Sequence, residues 1–286
     1  MSDPAVRQVD VAEITSAVAR MCMEANYDLP ADVYAALGAA KATEESPTGR
    51  AVLDQLVENA DIARQDRVPI CQDTGLAVVF VELGQDVHLV GGDFEEAVNA
   101  GVSRGYTDGY LRKSSVTQPG DARINTKDNT PAIIHTRIVP GDKVWIAVMP
   151  KGGGAENMSS LNMLKPAQGA AGIVQAVVDT VSRAGSNPCP PVVIGVGIGG
   201  TIERVTLLAK RALLRDVGSR HPDERLAAME DEMLARINAL GIGPQGLGGT
   251  TTALAVFIEE APCHIASMPV AVNVQCHAQR HLTVTI

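Results

Sequence analysis

The chain has 286 residues, 45% of them hydrophobic and only 3% aromatic, so a sizeable core must be built from Val, Ala, Ile and Leu. A net charge of −9 argues against a nucleic-acid partner, whose affinity comes mainly from neutralised phosphates. No basic leader and no apolar run of about 18 residues stands out, which predicts a cytoplasmic protein without a membrane span, whose five cysteines stay reduced.

Residues 1–66 predict helices. In "VDVAEITSAVARMCMEAN" apolar side chains recur at 11, 14, 18, 22 and 25, a helical period that includes Cys22. Such a thiol reads as an inert core filler. "LPADVYAALGAAKATEE" starts at Pro30, which suits a first helical turn, and "TGRAVLDQLVENADIAR" follows. After Cys71 the pattern changes. "LAVVFVEL" reads as a strand and "DFEEAVNAGVSRGY" as a helix, and "TPAIIHTRIV" and "DKVWIAVM" read as strands joined by a tight "PGD" turn.

"KGGGAENMSSLNML" is expected to be a glycine loop running into a long helix that ends near residue 183. "NPCPPVVIGVGIGGT" reads as loop, strand and glycine turn before the helix "IERVTLLAKRALLRD", and "PDERLAAMEDEMLARINAL" as a second, charged helix. A third glycine loop, "GIGPQGLGGTTTALAVFIEE", precedes an apolar run, and "MPVAVNVQCHAQRHLTVTI" alternates as strands do. The expected architecture is one mixed-sheet α/β domain over residues 1–286, with a helical N-terminal region over 1–66 and surrounding helices, and not a Rossmann fold.

Gly195, Gly197 and Gly200 match a dinucleotide fingerprint, with Asp216 at the distance of a ribose-binding acid. The acid, however, sits at the end of a helical stretch and no second strand follows it, so an NAD-linked oxidoreductase using this loop is the alternative reading. A glycine loop before a helix presents N–H groups to an anion, or simply turns at positive φ. Three such loops point toward an anionic small-molecule site.

Apart from Cys22, the cysteines lie in loops or at element ends: Cys71 in "PICQDTG", Cys189 in "NPCPP", Cys263 in "APCHI" and Cys276 in "VQCHAQRH". No close pair exists for a structural zinc site. Three thiolates that converged would be one short of a closed tetrahedral set, as a Lewis-acid cluster requires. Buried structural thiols are the ordinary alternative.

"PICQDTG", "NTPAIIH", "KGGGAEN", "GIGGT", "GIGPQGLGGTTTALAV" and "HIASMPVAVNVQCHAQRH" occur in an order that resembles the iron–sulfur hydro-lyases of the class I fumarase and L(+)-tartrate dehydratase type. The likeness runs from about residue 10 to the C-terminus and is nearest to the separate alpha subunit of the two-chain enzymes. It implies a [4Fe-4S] cluster on Cys71, Cys189 and Cys276, with Cys263 left as structural. It further implies substrate contacts from Gln72, Arg112 and Gly154, and an acid/base pair of Asp73 and His264. The implied reaction is the reversible dehydration of a hydroxy-dicarboxylate, fumarate/malate or L-tartrate. The implied partner is a beta subunit carrying the carbon-proton base, in an alpha dimer or an alpha–beta heterotetramer. A non-catalytic metal-binding or assembly subunit is the further rival.

Overall fold

The computed structural model describes residues 6–286. Strand β1 (Arg7–Asp10) leads into helices α1 (Val11–Tyr27), α2 (Ala31–Thr43) and α3 (Pro47–Asp66). Strands β2 (Leu76–Gly84) and β3 (Val87–Val90), helix α4 (Phe94–Asp108) and short strands β4 (Val116–Thr117) and β5 (Ile124–Asn125) come next. Then follow β6 (Ile133–Val139), β7 (Val144–Lys151), the one-turn helix α5 (Gly153–Glu156), β8 (Ser160–Leu164) and α6 (Gly169–Ala184). The last elements are β9 (Val192–Gly199), α7 (Ile202–Ala212), α8 (Glu224–Asn238), β10 (Ala253–Ala261), β11 (Met268–Gln275) and β12 (Leu282–Thr285). The chain thus has the expected mixed α/β character.

The chain divides into two compact units. Among the described residues one comprises 6–29, Ile62–Gly152 and Arg280–Ile286, and the other Pro30–Asp61 and Gly153–Gln279.

In the first unit a four-stranded sheet has the order β12-β7-β2-β6. β2 runs parallel to β6 and antiparallel to β7. The two strands are joined by the "PGD" turn as expected, but β2 lies between them in the sheet. That turn carries the chain over the end of β2, where Gly84 donates to the Lys143 carbonyl and Asp86 to that of Gly141. The apolar stripe read at 11, 14, 18, 22 and 25 is buried on α1 as the period requires. Asp10 caps that helix, its side chain accepting the Ala12 N–H. α4 lies close against α1: a Cβ on Gly105 would stand 2.6 Å from the Ala19 carbonyl oxygen. β1, which pairs in parallel with β3, lies within the stretch read as wholly helical.

In the second unit the sheet order is β10-β9-β11-β8. Val174, Val177, Val181, Ile194, Val256 and Val272 belong to its core. The long helix expected to follow the glycine loop and end near residue 183 is interrupted. Residues 160–164 form the edge strand β8, antiparallel to β11, and α6 begins only at Gly169. Side chains of Leu161 and Met163 stay largely in solvent, so the apolar run follows a strand's alternation.

Candidate active site

The turn "CQDTG" sits immediately before β2, beside the Lys151 end of β7. The Asp73 N–H donates to the Cys71 sulfur at 3.4 Å, and the Asp73 carboxylate accepts the Gly75 N–H at 3.0 Å. Gln72 is exposed, its side-chain oxygen 3.3 Å from the Cys71 sulfur. A Cβ on Gly152 would stand 3.3 Å from the Asp73 Oδ2, so the first glycine of the "KGGG" loop leaves that carboxylate its space.

Buried side chains grip this turn from behind. Tyr106 of α4 donates its hydroxyl to the carbonyls of Thr74 and Gly75 at 2.7 and 3.0 Å. Asn129, fully buried, donates to the Gly75 carbonyl at 3.1 Å while its oxygen accepts the N–H groups of Ser114 and Ser115. Arg112 is exposed, and its carbonyl accepts the Thr74 hydroxyl at 2.9 Å. One unit therefore gathers Cys71, Gln72, Asp73 and Arg112 around a single braced turn. The second unit carries the remaining predicted residues.

There, the Cys189 and Cys276 turns are tied together. The His277 N–H donates to the Cys189 carbonyl at 3.2 Å, and Gln245 reaches both the Pro190 carbonyl (2.9 Å) and the His277 Nδ1 (3.1 Å). Cys189 is exposed at φ +54°, a left-handed conformation uncommon for a side-chain-bearing residue. Gly154 lies exposed in α5. The short helix is anchored by Glu156, which takes a 2.5 Å hydrogen bond from Lys210 of α7 and a 3.3 Å one from Asn273 of β11. His264 lies exposed in the β10–β11 turn. Its Nδ1 accepts the Ala266 N–H at 3.1 Å, which leaves the proton of the neutral ring on Nε2.

The three glycine loops turn out to serve different ends. Gly195 and Gly197 are interior to β9, where a Cβ would stand 2.0 Å from the Ala209 carbonyl and 2.1 Å from that of Val205. They let α7 lie on the sheet and do not cradle a phosphate. Asp216 is in a turn beyond α7, and the strand parallel to β9 is β10, reached only after α8. The third loop wraps a carboxylate of the chain itself. Glu44, 1% exposed, accepts the N–H groups of Ser46, Thr250 and Thr251. Burial alone would raise the Glu44 carboxyl, but these donors outweigh it and lower its pKa to about 2. Only the loop at Gly152–Gly154 keeps the open character expected of an anion site.

Among the described residues, no group of three or more His, Cys, Asp or Glu side chains is arranged to hold a metal ion. The donor chemistry nevertheless fits an iron–sulfur cluster. Cys71 sits in the braced turn with the Asp73 N–H on its sulfur and its thiol toward the Gln72 side-chain oxygen, and Cys189 and Cys276 lie on mutually bonded turns. Gln275, just before Cys276, is fully buried with neither amide atom hydrogen-bonded, leaving unsatisfied polarity at that end of β11. Cys22 differs: burial pushes its thiol up to about 12.

Comparison with known proteins supplies what geometry alone does not. The profile of the family described as Fumarate hydratase (Fumerase) matches residues 15–285. The chain belongs to the fumarate hydratase family. A Methanocaldococcus jannaschii protein named "Putative L(+)-tartrate dehydratase subunit alpha" is 42% identical over 273 residues, covering 94% of this chain and 95% of the relative. The L(+)-tartrate dehydratase subunit alpha of Escherichia coli strain K12 is 32% identical over 282 residues, covering 98% and 93%. That of Shigella sonnei is equally similar. This fumarate hydratase family member is accordingly a hydro-lyase, and the oxidoreductase alternative is not favoured. No helix among the described residues is long and apolar enough to cross a membrane.

Proposed function

We propose that this chain is the cluster-bearing, alpha-type subunit of a [4Fe-4S] hydro-lyase that reversibly dehydrates a hydroxy-dicarboxylate, fumarate/malate or L-tartrate. The observation that carries the reading is the family match over residues 15–285. The names of the relatives favour a two-chain enzyme.

Cys71, Cys189 and Cys276 would hold the cluster. When bound, it supplies a Lewis acid for a hydroxyl that is otherwise a poor leaving group. Arg112, exposed beside the braced turn, offers a planar fork for a substrate carboxylate. Gln72 and the Gly154 N–H add neutral donors. Asp73 and His264 form the acid/base pair that handles the proton on the departing oxygen. In the reaction a carbon–oxygen bond breaks, a proton leaves the adjacent carbon, and water and a double bond result. The group that takes the carbon proton is assigned to a separate beta chain. The assembly would be an alpha dimer or an alpha–beta heterotetramer in the cytoplasm.

The test is to assay the anaerobically reconstituted chain, alone and with a beta-type chain, on malate, fumarate and L-tartrate. Turnover of one of these only in the presence of the second chain is expected. Full turnover by the chain alone contradicts the two-chain assignment, and no turnover by the iron-loaded pair on all three contradicts the substrate class.

A further inference from the structure

We propose that Arg280 is a positioning residue for the Cys71–Asp73 turn, its buried guanidinium holding the Asp73 carbonyl and so fixing the orientation of the Asp73–Thr74 peptide. The role rests on the hydro-lyase reading for its catalytic consequence, but not for its structural one.

Arg280 is 1% exposed and is the largest fully buried side chain among the described residues. Arginine is almost never buried to this degree, because its charge loses hydration. Its Nη2 donates to the Asp73 carbonyl at 2.7 Å, the length of a charge-assisted bond, and its Nε to the Asn26 side-chain oxygen at 3.3 Å. Asn26, itself fully buried, is held in turn by donating to the Cys22 carbonyl of α1.

Three successive carbonyls are therefore taken from behind: Asp73 by Arg280, Thr74 by Tyr106, and Gly75 by Tyr106 and Asn129. A trans peptide points its N–H opposite to its carbonyl. Fixing the Asp73 carbonyl turns the Thr74 N–H to the other side. The flanking amides complete the turn through other contacts: the Asp73 N–H lies on the Cys71 sulfur, and the Gly75 N–H, whose peptide carbonyl Tyr106 holds, lies on the Asp73 carboxylate. Arg280 is the one of these bracing groups with a permanent charge. Removing Arg280 would leave the Asp73 carbonyl and the buried Asn26 oxygen without their donor, so the turn and its support from α1 are lost together.

The experiment compares R280K, R280M and E44Q in the full-length chain, with amide hydrogen exchange of residues 73–76 and melting temperature as readouts. Steady-state kinetics of the loaded alpha–beta enzyme provide a third. R280M is expected to raise exchange of the turn amides about tenfold or more and to lower kcat about 100-fold with KM nearly unchanged. R280K is expected to restore much of both. E44Q, which destabilises the protein elsewhere, should lower the melting temperature without changing exchange at the turn. Wild-type exchange in R280M overturns the proposal. So does an equal rise in E44Q, which would make the effect one of stability. If R280M does not fold, R280K alone decides: turn exchange faster than wild type at an unchanged melting temperature supports the proposal, and exchange identical to wild type overturns it. Should the loaded wild type show no turnover, the hydro-lyase reading fails while the exchange result still judges Arg280.

Discussion

The His277 N–H donates to the Cys189 carbonyl at 3.2 Å, joining two cysteine-bearing turns that lie 88 residues apart in the chain. Gln245 braces the same junction through the Pro190 carbonyl and the His277 ring. Gln245→Ala should cost about 1–2 kcal/mol, the scale of two part-buried hydrogen bonds. Denaturant unfolding measures that cost. If these turns present cluster ligands, the variant should also lose iron faster in air than the wild type.

Glu44 predicts a pH dependence. Its folded-state pKa, about 2, lies below the ordinary 4.5, so its contribution is complete above about pH 4.5 and is lost as pH falls toward 2. E44Q removes the charged acceptor of the Ser46, Thr250 and Thr251 amides and should cost about 2 kcal/mol at neutral pH. The gap between E44Q and wild type should narrow between pH 4.5 and pH 2. A gap constant through that window contradicts the charge-based account.

The thiols should sort by burial. Cys189 and Cys263 are exposed, whereas Cys22 is fully buried with its thiol pushed up to about 12. In the metal-free native chain, maleimide labelling followed by mass spectrometry should find Cys189 and Cys263 modified first. Cys22 should react only on unfolding.

Ile265 is 92% exposed in the turn that carries His264. An apolar side chain this bare next to a candidate catalytic group suits contact with the beta chain that would complete the site. Ile265→Asp should weaken alpha–beta association about tenfold or more, the effect of 1.4 kcal/mol, while leaving the melting temperature of the alpha chain within a few degrees. Unchanged affinity in a titration would remove Ile265 from that interface.

Legibility in the sequence followed the physics of each segment. α1 was readable because a helix with one buried stripe writes its period directly, at Val11, Ile14, Val18, Cys22 and Ala25. β8 was hidden because "SLNML" is five residues with two apolar side chains facing solvent, and the preceding glycines suggested a helix start. The β2 insertion between β6 and β7 is a matter of strand order, and a short turn does not reveal it. The same holds for the glycine loops: Gly195 and Gly197 match a nucleotide fingerprint letter by letter, yet only tertiary contact shows that α7 fills the space.

The candidate site was legible as motifs but not as supports. Asn129, Glu156 and Arg280 all lie inside the matched segments "NTPAIIH", "KGGGAEN" and "QCHAQRH". Their partners, Gly75, Lys210 and Asp73, are 54, 54 and 207 residues away. A single sequence gives no sign of such pairings. Polar identity was visible at each position, and the contact partner is what the sequence left unspecified.

The central claim is best tested by iron and acid-labile sulfide analysis after anaerobic reconstitution of the wild type and five single Cys→Ala variants. The account predicts about four irons per wild-type chain. It predicts severe loss in the variants at Cys71, Cys189 and Cys276, and wild-type loading in those at Cys22 and Cys263. A wild type that takes up no cluster, or a Cys263 variant that loses as much iron as the Cys71 variant, contradicts it.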